Sequence, residues 1–187
     1  MMQRLAFLAM ILAVLLLSAC NAQDTVAVET VAPATLKPGD AIPAPTGEVV
    51  LTISGKISNT NAENMLLLDI ATLEKMGLVK YTVTDPSLNE QFTYTGVLLA
   101  DLLKVIGAAP DATLVHMTAL DEYEVDVEIA ETEKWPVLLA TQTAGSYMPI
   151  ESNGPTRIIF PFDDISEVDI PKYSDLAIWN LVTMEIQ

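Results

Sequence analysis

Apolar and polar positions change rhythm several times along this chain, and each rhythm predicts a different kind of segment. After Arg4, the run Leu5 to Leu17 holds no polar residue and ends in Ser18-Ala19-Cys20. It falls short of the ~20 residues a helix needs to span a bilayer. A charged start, an apolar stretch and small residues before a break form a secretory signal peptide. Asn21 to Thr46 shows no sustained period and places Pro33, Pro38, Pro43 and Pro45 among small residues, which predicts a flexible tether. Beyond it the period becomes that of short strands. Val49 to Ile53 reads as a strand ending at Gly55, and Asp69 is positioned to cap a short helix from Ile70 to Met76, stopped by Gly77. Leu78 to Thr84 and Gln91 to Tyr94 are strands about a turn at Asp85-Pro86-Ser87-Leu88-Asn89. Val97 to Ile106 has helical spacing, with Leu98, Leu102, Val105 and Ile106 on one face.

Thr113 to Leu120 and Tyr123 to Ile129 predict two strands joined tightly around Asp121-Glu122. In the second, Tyr123, Val125, Val127 and Ile129 face one way and Glu124, Asp126 and Glu128 the other, the signature of a half-buried strand with an acidic outer face. Val137 to Thr141, Arg157 to Phe160 and Trp179 to Ile186 complete the set. Many short strands with one clear helix predict an α+β fold of mixed sheets with much antiparallel pairing. The expected organisation is a signal peptide over 1–19, a lipidated cysteine and tether over 20–46, and one folded domain over 47–187.

Leu17-Ser18-Ala19-Cys20 resembles the lipobox of bacterial lipoproteins, which implies acylation at Cys20, the only cysteine of the chain. A diacylglycerol thioether with a further acyl chain on the freed amine would anchor the protein stably to a lipid bilayer. That implies a membrane-anchored location facing the periplasm, and Asn21 after the cysteine favours the outer membrane by analogy. With Cys20 acylated the domain has no thiol for a disulfide, a nucleophile or a metal. The net charge of −16 argues against nucleic acid and anionic lipid surfaces as partners. No serine sits in a G-x-S-x-G turn, and the single histidine, His116, builds neither a zinc site nor a triad alone.

Several landmarks share an order with a known family. Thr95-Gly96-Val97-Leu98-Leu99-Ala100-Asp101-Leu102-Leu103, then Thr118-Ala119-Leu120-Asp121-Glu122-Tyr123, then Gly154-Pro155-Thr156-Arg157-Ile158-Ile159-Phe160-Pro161, and finally Ile178-Trp179-Asn180-Leu181 resemble segments of the sulfite-oxidase-type molybdopterin-binding domain. In the second segment Glu122 stands where glycine is usual. Enzymes of that family hold molybdenum through a cysteine thiolate, which this domain lacks. The resemblance therefore implies a small exported member with the fold and a pterin-sized cleft, without molybdenum. Such members include periplasmic pterin-binding proteins that signal to membrane-bound cyclic-di-GMP enzymes, so a membrane sensor protein is an expected partner.

Arg157, the only arginine after Arg4, could bind an anionic or flat ligand at a cleft mouth, or make a structural ion pair. Asp121 could accept two N–H bonds from an amino-pyrimidine edge, or simply serve the turn. Tyr123, Trp135 and Trp179 are candidates to flank a small planar ligand, with Trp135 expected to be partly exposed, the better candidate for a surface site, and Trp179 in the core. Asn153 could offer an amide to a heterocycle. The leading expectation is a non-catalytic, lipid-anchored binder of a pterin or similar ligand. Its rivals are a molybdopterin-dependent oxidoreductase and an interaction module with a vestigial cleft.

Overall fold

The computed structural model describes residues 26–187. The expected signal peptide and Cys20 lie outside the described residues. Two sheets carry the fold. The first has the order β1 (Glu29–Ala32), β4 (Leu78–Asp85), β5 (Glu90–Leu98), β8 (Leu138–Thr143) and β10 (Arg157–Ile159), with the short β9 (Ser146–Tyr147) paired to β8. The second runs β3 (Leu66–Leu68), β2 (Leu51–Gly55), β11 (Leu181–Ile186), β6 (Leu114–Ala119) and β7 (Glu124–Glu128). All pairings are antiparallel except β2 with β11. Among the described residues, four short α-helices complete it: α1 (Ile70–Leu73), α2 (Leu99–Val105), α3 (Ile129–Lys134) and α4 (Ile170–Leu176).

Alternation in the sequence becomes alternation in burial. Val115, Met117 and Ala119 of β6, Val125 and Val127 of β7, and Leu51 and Ile53 of β2 point inward. They join Val83, Val97, Leu138 and Ile158 of the other sheet in one continuous apolar cluster. On the outer face, Glu185, His116 and Asp126 occupy one rung across β11, β6 and β7. His116 Nδ1 lies 2.8 Å from Asp126, a contact that raises the imidazole pKa.

Four expectations are corrected. The tether does not extend to residue 46: Val26 N–H donates to Asp164 at 2.7 Å, β1 pairs with β4, and Ile42 is buried. Its backbone bonds and one apolar anchor outweigh the weak local pattern that prolines impose. The helix expected from Val97 begins at Leu99, because Val97 and Leu98 pair with Leu139 and Leu138 of β8. Ile129 starts α3 and does not continue the β7 strand. Tyr123 does not share the buried face of Val125; it belongs to the turn and is 49% exposed.

Candidate functional site

Arg157 opens β10 and is 5% exposed. Its Nη1 donates to the Tyr94 hydroxyl at 3.1 Å and its Nη2 to Asp85 Oδ2 at 3.4 Å. Asp85, at the end of β4, also accepts the backbone N–H of Ser87 at 2.9 Å, so the predicted turn places a carboxylate in the interior. Neither partner of this ion pair reaches solvent appreciably, with side chains 6% and 4% exposed. The guanidinium lies over the rings of Tyr94 and Trp179, 5.2 and 5.5 Å from their centroids. Burial raises the Tyr94 pKa, and the Arg157 charge opposes that rise. Arg157 Nε has no hydrogen-bond partner among the described residues. Of the two roles open to Arg157, the structure builds the ion pair and adds a buttress beneath Trp179.

Trp179 itself is 44% exposed, contrary to the expectation of a core position. It precedes β11, and Asn180 takes a left-handed φ of 48°, which turns the chain before the strand begins. Asn180 is anchored on both sides: its side-chain amide donates to the Ile150 and Gly154 carbonyls, and its N–H to the Asn153 carbonyl. Trp135 is half-buried, in keeping with the partial exposure expected of it. Its Nε1 donates to the Tyr173 hydroxyl at 3.0 Å, and the rings meet edge to face at 6.1 Å. A part-buried indole N–H favours such a partner, and α4, which local periodicity did not predict, supplies it. Tyr173 in turn donates to Glu131, so Trp135 belongs to the α3–α4 junction.

Trp179 lines a slot of about 270 Å³ together with Asp121, Tyr123, Ser174, Asp175 and Asn180. Three of the residues singled out in the sequence, Asp121, Tyr123 and Trp179, therefore converge. Asp121 accepts the Tyr123 N–H at 3.2 Å, the Asx-turn role, while its exposed carboxylate lines the slot. The Tyr123 hydroxyl donates to the Asp175 carbonyl at 3.1 Å, joining the β6–β7 hairpin to the end of α4. Asn153 contributes its carbonyl to Asn180 and is absent from the slot lining. Asp85, Tyr94, Asp175 and Asn180 were not singled out in the sequence. Only the Asp-Pro turn and the Trp-Asn pair carried any local signal.

A larger cleft of about 570 Å³ opens between α1 and β8, lined by Val50, Ile70, Met148, Pro155 and Tyr147 among others. Its Glu74 already accepts from Thr141, Gln142 and Tyr147, each at 3.1 Å. The smaller slot has the better chemistry for a flat ligand, because two half-exposed rings and two exposed acidic residues meet there.

Residues 51–163, more than half of the chain, match the oxidoreductase molybdopterin binding domain. The chain belongs to that family. Its fold is similar to that of the sulfane dehydrogenase SoxCD from Paracoccus pantotrophus, with a TM-score of 0.55 and 16% sequence identity. That match covers 73% of this chain and 37% of the other, so this chain spans little more than a third of that protein's length. No curated protein matches the chain. The oxidoreductase-like, molybdopterin-binding fold follows from the family, and the α+β class from the two sheets and short helices.

The family implies a molybdopterin. The donor set here does not fit a molybdenum held by a protein thiolate, since residues 26–187 contain no cysteine. No group of three His, Cys, Asp or Glu side chains is gathered as a ligand set among the described residues. The polar groups lining the slot can accept N–H donors from an organic ring, and no step through a metal is derived from them. No helix of the described residues is long and apolar enough to cross a membrane.

Proposed function

We propose that this protein is a lipid-anchored, extracytoplasmic binder of a small planar ligand, a pterin or a similar heterocycle. In this reading it is non-catalytic and reports ligand occupancy to a membrane sensor protein. The observation that carries the proposal is the convergence of Tyr123 and Trp179, 49% and 44% exposed, on one slot with Asp121. Large half-exposed aromatic rings are unfavourable to leave in water and favourable to cover with a flat ligand. Clefts of about 300–1,000 Å³ suit drug-sized ligands, so about 270 Å³ suits something smaller, on the scale of a bicyclic ring. Asp121 and Asp175 would accept the ring's N–H donors, Asn180 would help frame the slot, and Trp179 would stack on the ring while Arg157 braces it from beneath.

The lipobox at Leu17-Ser18-Ala19-Cys20 supports the anchor and the periplasm-facing address. The test is titration of the purified protein with a pterin, followed by fluorescence. Binding is expected, with Trp179→Ala reducing affinity by about tenfold, the loss of roughly one stacking contact. Stoichiometric molybdenum in the protein purified from its native membrane would overturn the non-catalytic reading in favour of an oxidoreductase. No pterin affinity would overturn the binder itself and leave an interaction module.

A further inference from the structure

The charges around the slot limit what a ring bound there can carry. None of the residues that line the slot is basic, whereas two of them, Asp121 and Asp175, are acidic and exposed. The nearby cation is Arg157, and it is not free. It is buried beneath Trp179, with its guanidinium committed to Asp85 and Tyr94. Lys172 shares α4 with Asp175, but its amine lies 2.6 Å from Glu131. Lys134 is also engaged, against the Trp135 and Tyr173 rings. Glu122, at the tip of the same hairpin as Asp121, adds a further negative charge, and the whole chain carries −16.

From these charges we infer, on the reading of this slot as a pterin site, that it selects a heterocycle without a phosphate group and discriminates against the phosphorylated form. The carboxylates do two things at once. They accept N–H bonds from an amino-pyrimidine edge, which strengthens binding of the ring. They also repel a phosphate on the same molecule, because like charges brought together across an interface cost binding energy. The ligand class is thus an amino-substituted, neutral or cationic bicycle with an uncharged side chain.

The experiment uses the full-length protein in detergent and two probes, 6-hydroxymethylpterin and its phosphate monoester. Each is titrated at low and at high salt. The free alcohol is expected to bind at least about tenfold more tightly at low salt, and salt should shrink the gap by screening the repulsion. The exposed pair Asp121→Asn and Asp175→Asn leaves the core untouched, and the amide that replaces the Asp121 carboxylate retains an oxygen to accept the Tyr123 N–H. In that variant the ester should gain affinity while the alcohol loses it, an opposite movement that general damage to the fold does not produce. Equal binding of the two probes, or tighter binding of the ester, would overturn this inference and leave the pterin reading intact. Binding of neither would overturn both.

Discussion

Arg157 shows how far a residue's role depends on its surroundings. A guanidinium between a Gly-Pro turn and an apolar strand suggests a ligand hook, yet the fold seals it against Asp85. Removing one member of a buried pair leaves the other charge uncompensated, at a cost of about 3–5 kcal/mol. Arg157→Ala is therefore expected to destabilise the domain by about that amount in denaturant unfolding. Combining Arg157→Met with Asp85→Asn should recover a substantial part of the loss, because the amide keeps the turn bonds and no buried charge remains. A double variant as unstable as the sum of the singles would show that the pair is not the source. Glu122 makes a related point. Its φ of 66° is left-handed backbone, which glycine adopts without the Cβ clash of other residues. The glycine expected by resemblance at this position thus has a physical reason, and this chain bears the strain.

At the scale of elements, the clearest dependence of structure on one side chain is at α1. Asp69 caps the helix through the Thr72 N–H at 2.8 Å, and its other oxygen accepts the Thr46 and Gly47 N–H groups at 2.9 and 2.8 Å. The bonds from Thr72, Gly47 and Thr46 hold its pKa well below the usual carboxylate range, against the opposing effect of burial. A folded pKa below the unfolded one stabilises the fold above the unfolded value near pH 4, and that contribution is lost as pH falls through the folded value. Asp69→Ala should cost about 2 kcal/mol at neutral pH and leave stability less dependent on pH below about 4, measured by urea unfolding across that range. An unchanged acid profile would contradict this account. Close approach fixes a second element. A Cβ at Gly96 would overlap the Leu139 carbonyl oxygen where the β5–β8 register shifts. The glycine of the Thr95-Gly96-Val97 motif is required by strand pairing, whereas the helix begins three residues later, at Leu99.

For the molecule as a whole, the corrected tether changes the geometry of the proposed anchor. Val26 already belongs to the folded body, where it is bonded to Asp164. At about 3.3–3.6 Å per extended residue, the chain between Cys20 and Val26 spans at most about 20 Å. A domain anchored at Cys20 would therefore work close to the headgroups, within reach of a membrane partner and of nothing far from the bilayer. Inserting a Gly/Ser stretch of about 15 residues after Asn21 would lengthen the reach several-fold. Crosslinking of the anchored domain to nearby membrane proteins should fall in that variant. Crosslinking unaffected by the insertion would argue against a short-range partner.

Local chemistry in the sequence determined the strand-rich class, the Asp69 cap, the Asp121 turn and the run of motifs that marks the family. These depend on neighbours a few residues away, whose spacing is written in the chain. It did not determine that α4 exists, because Ile170 to Leu176 buries only Tyr173 fully and carries little amphipathic period. Nor did it determine that residues 29–32 join a sheet, since β1 is exposed along most of its length and is held by backbone bonds to β4. The half-exposed setting of Trp179, expected in the core, was decided by contacts across distant segments, with Arg157 beneath its ring. The slot is likewise a product of tertiary structure. Asp121 and Tyr123 on one hairpin meet Asp175 and Trp179 only because β11 inserts between β2 and β6 and draws the segment before it alongside that hairpin.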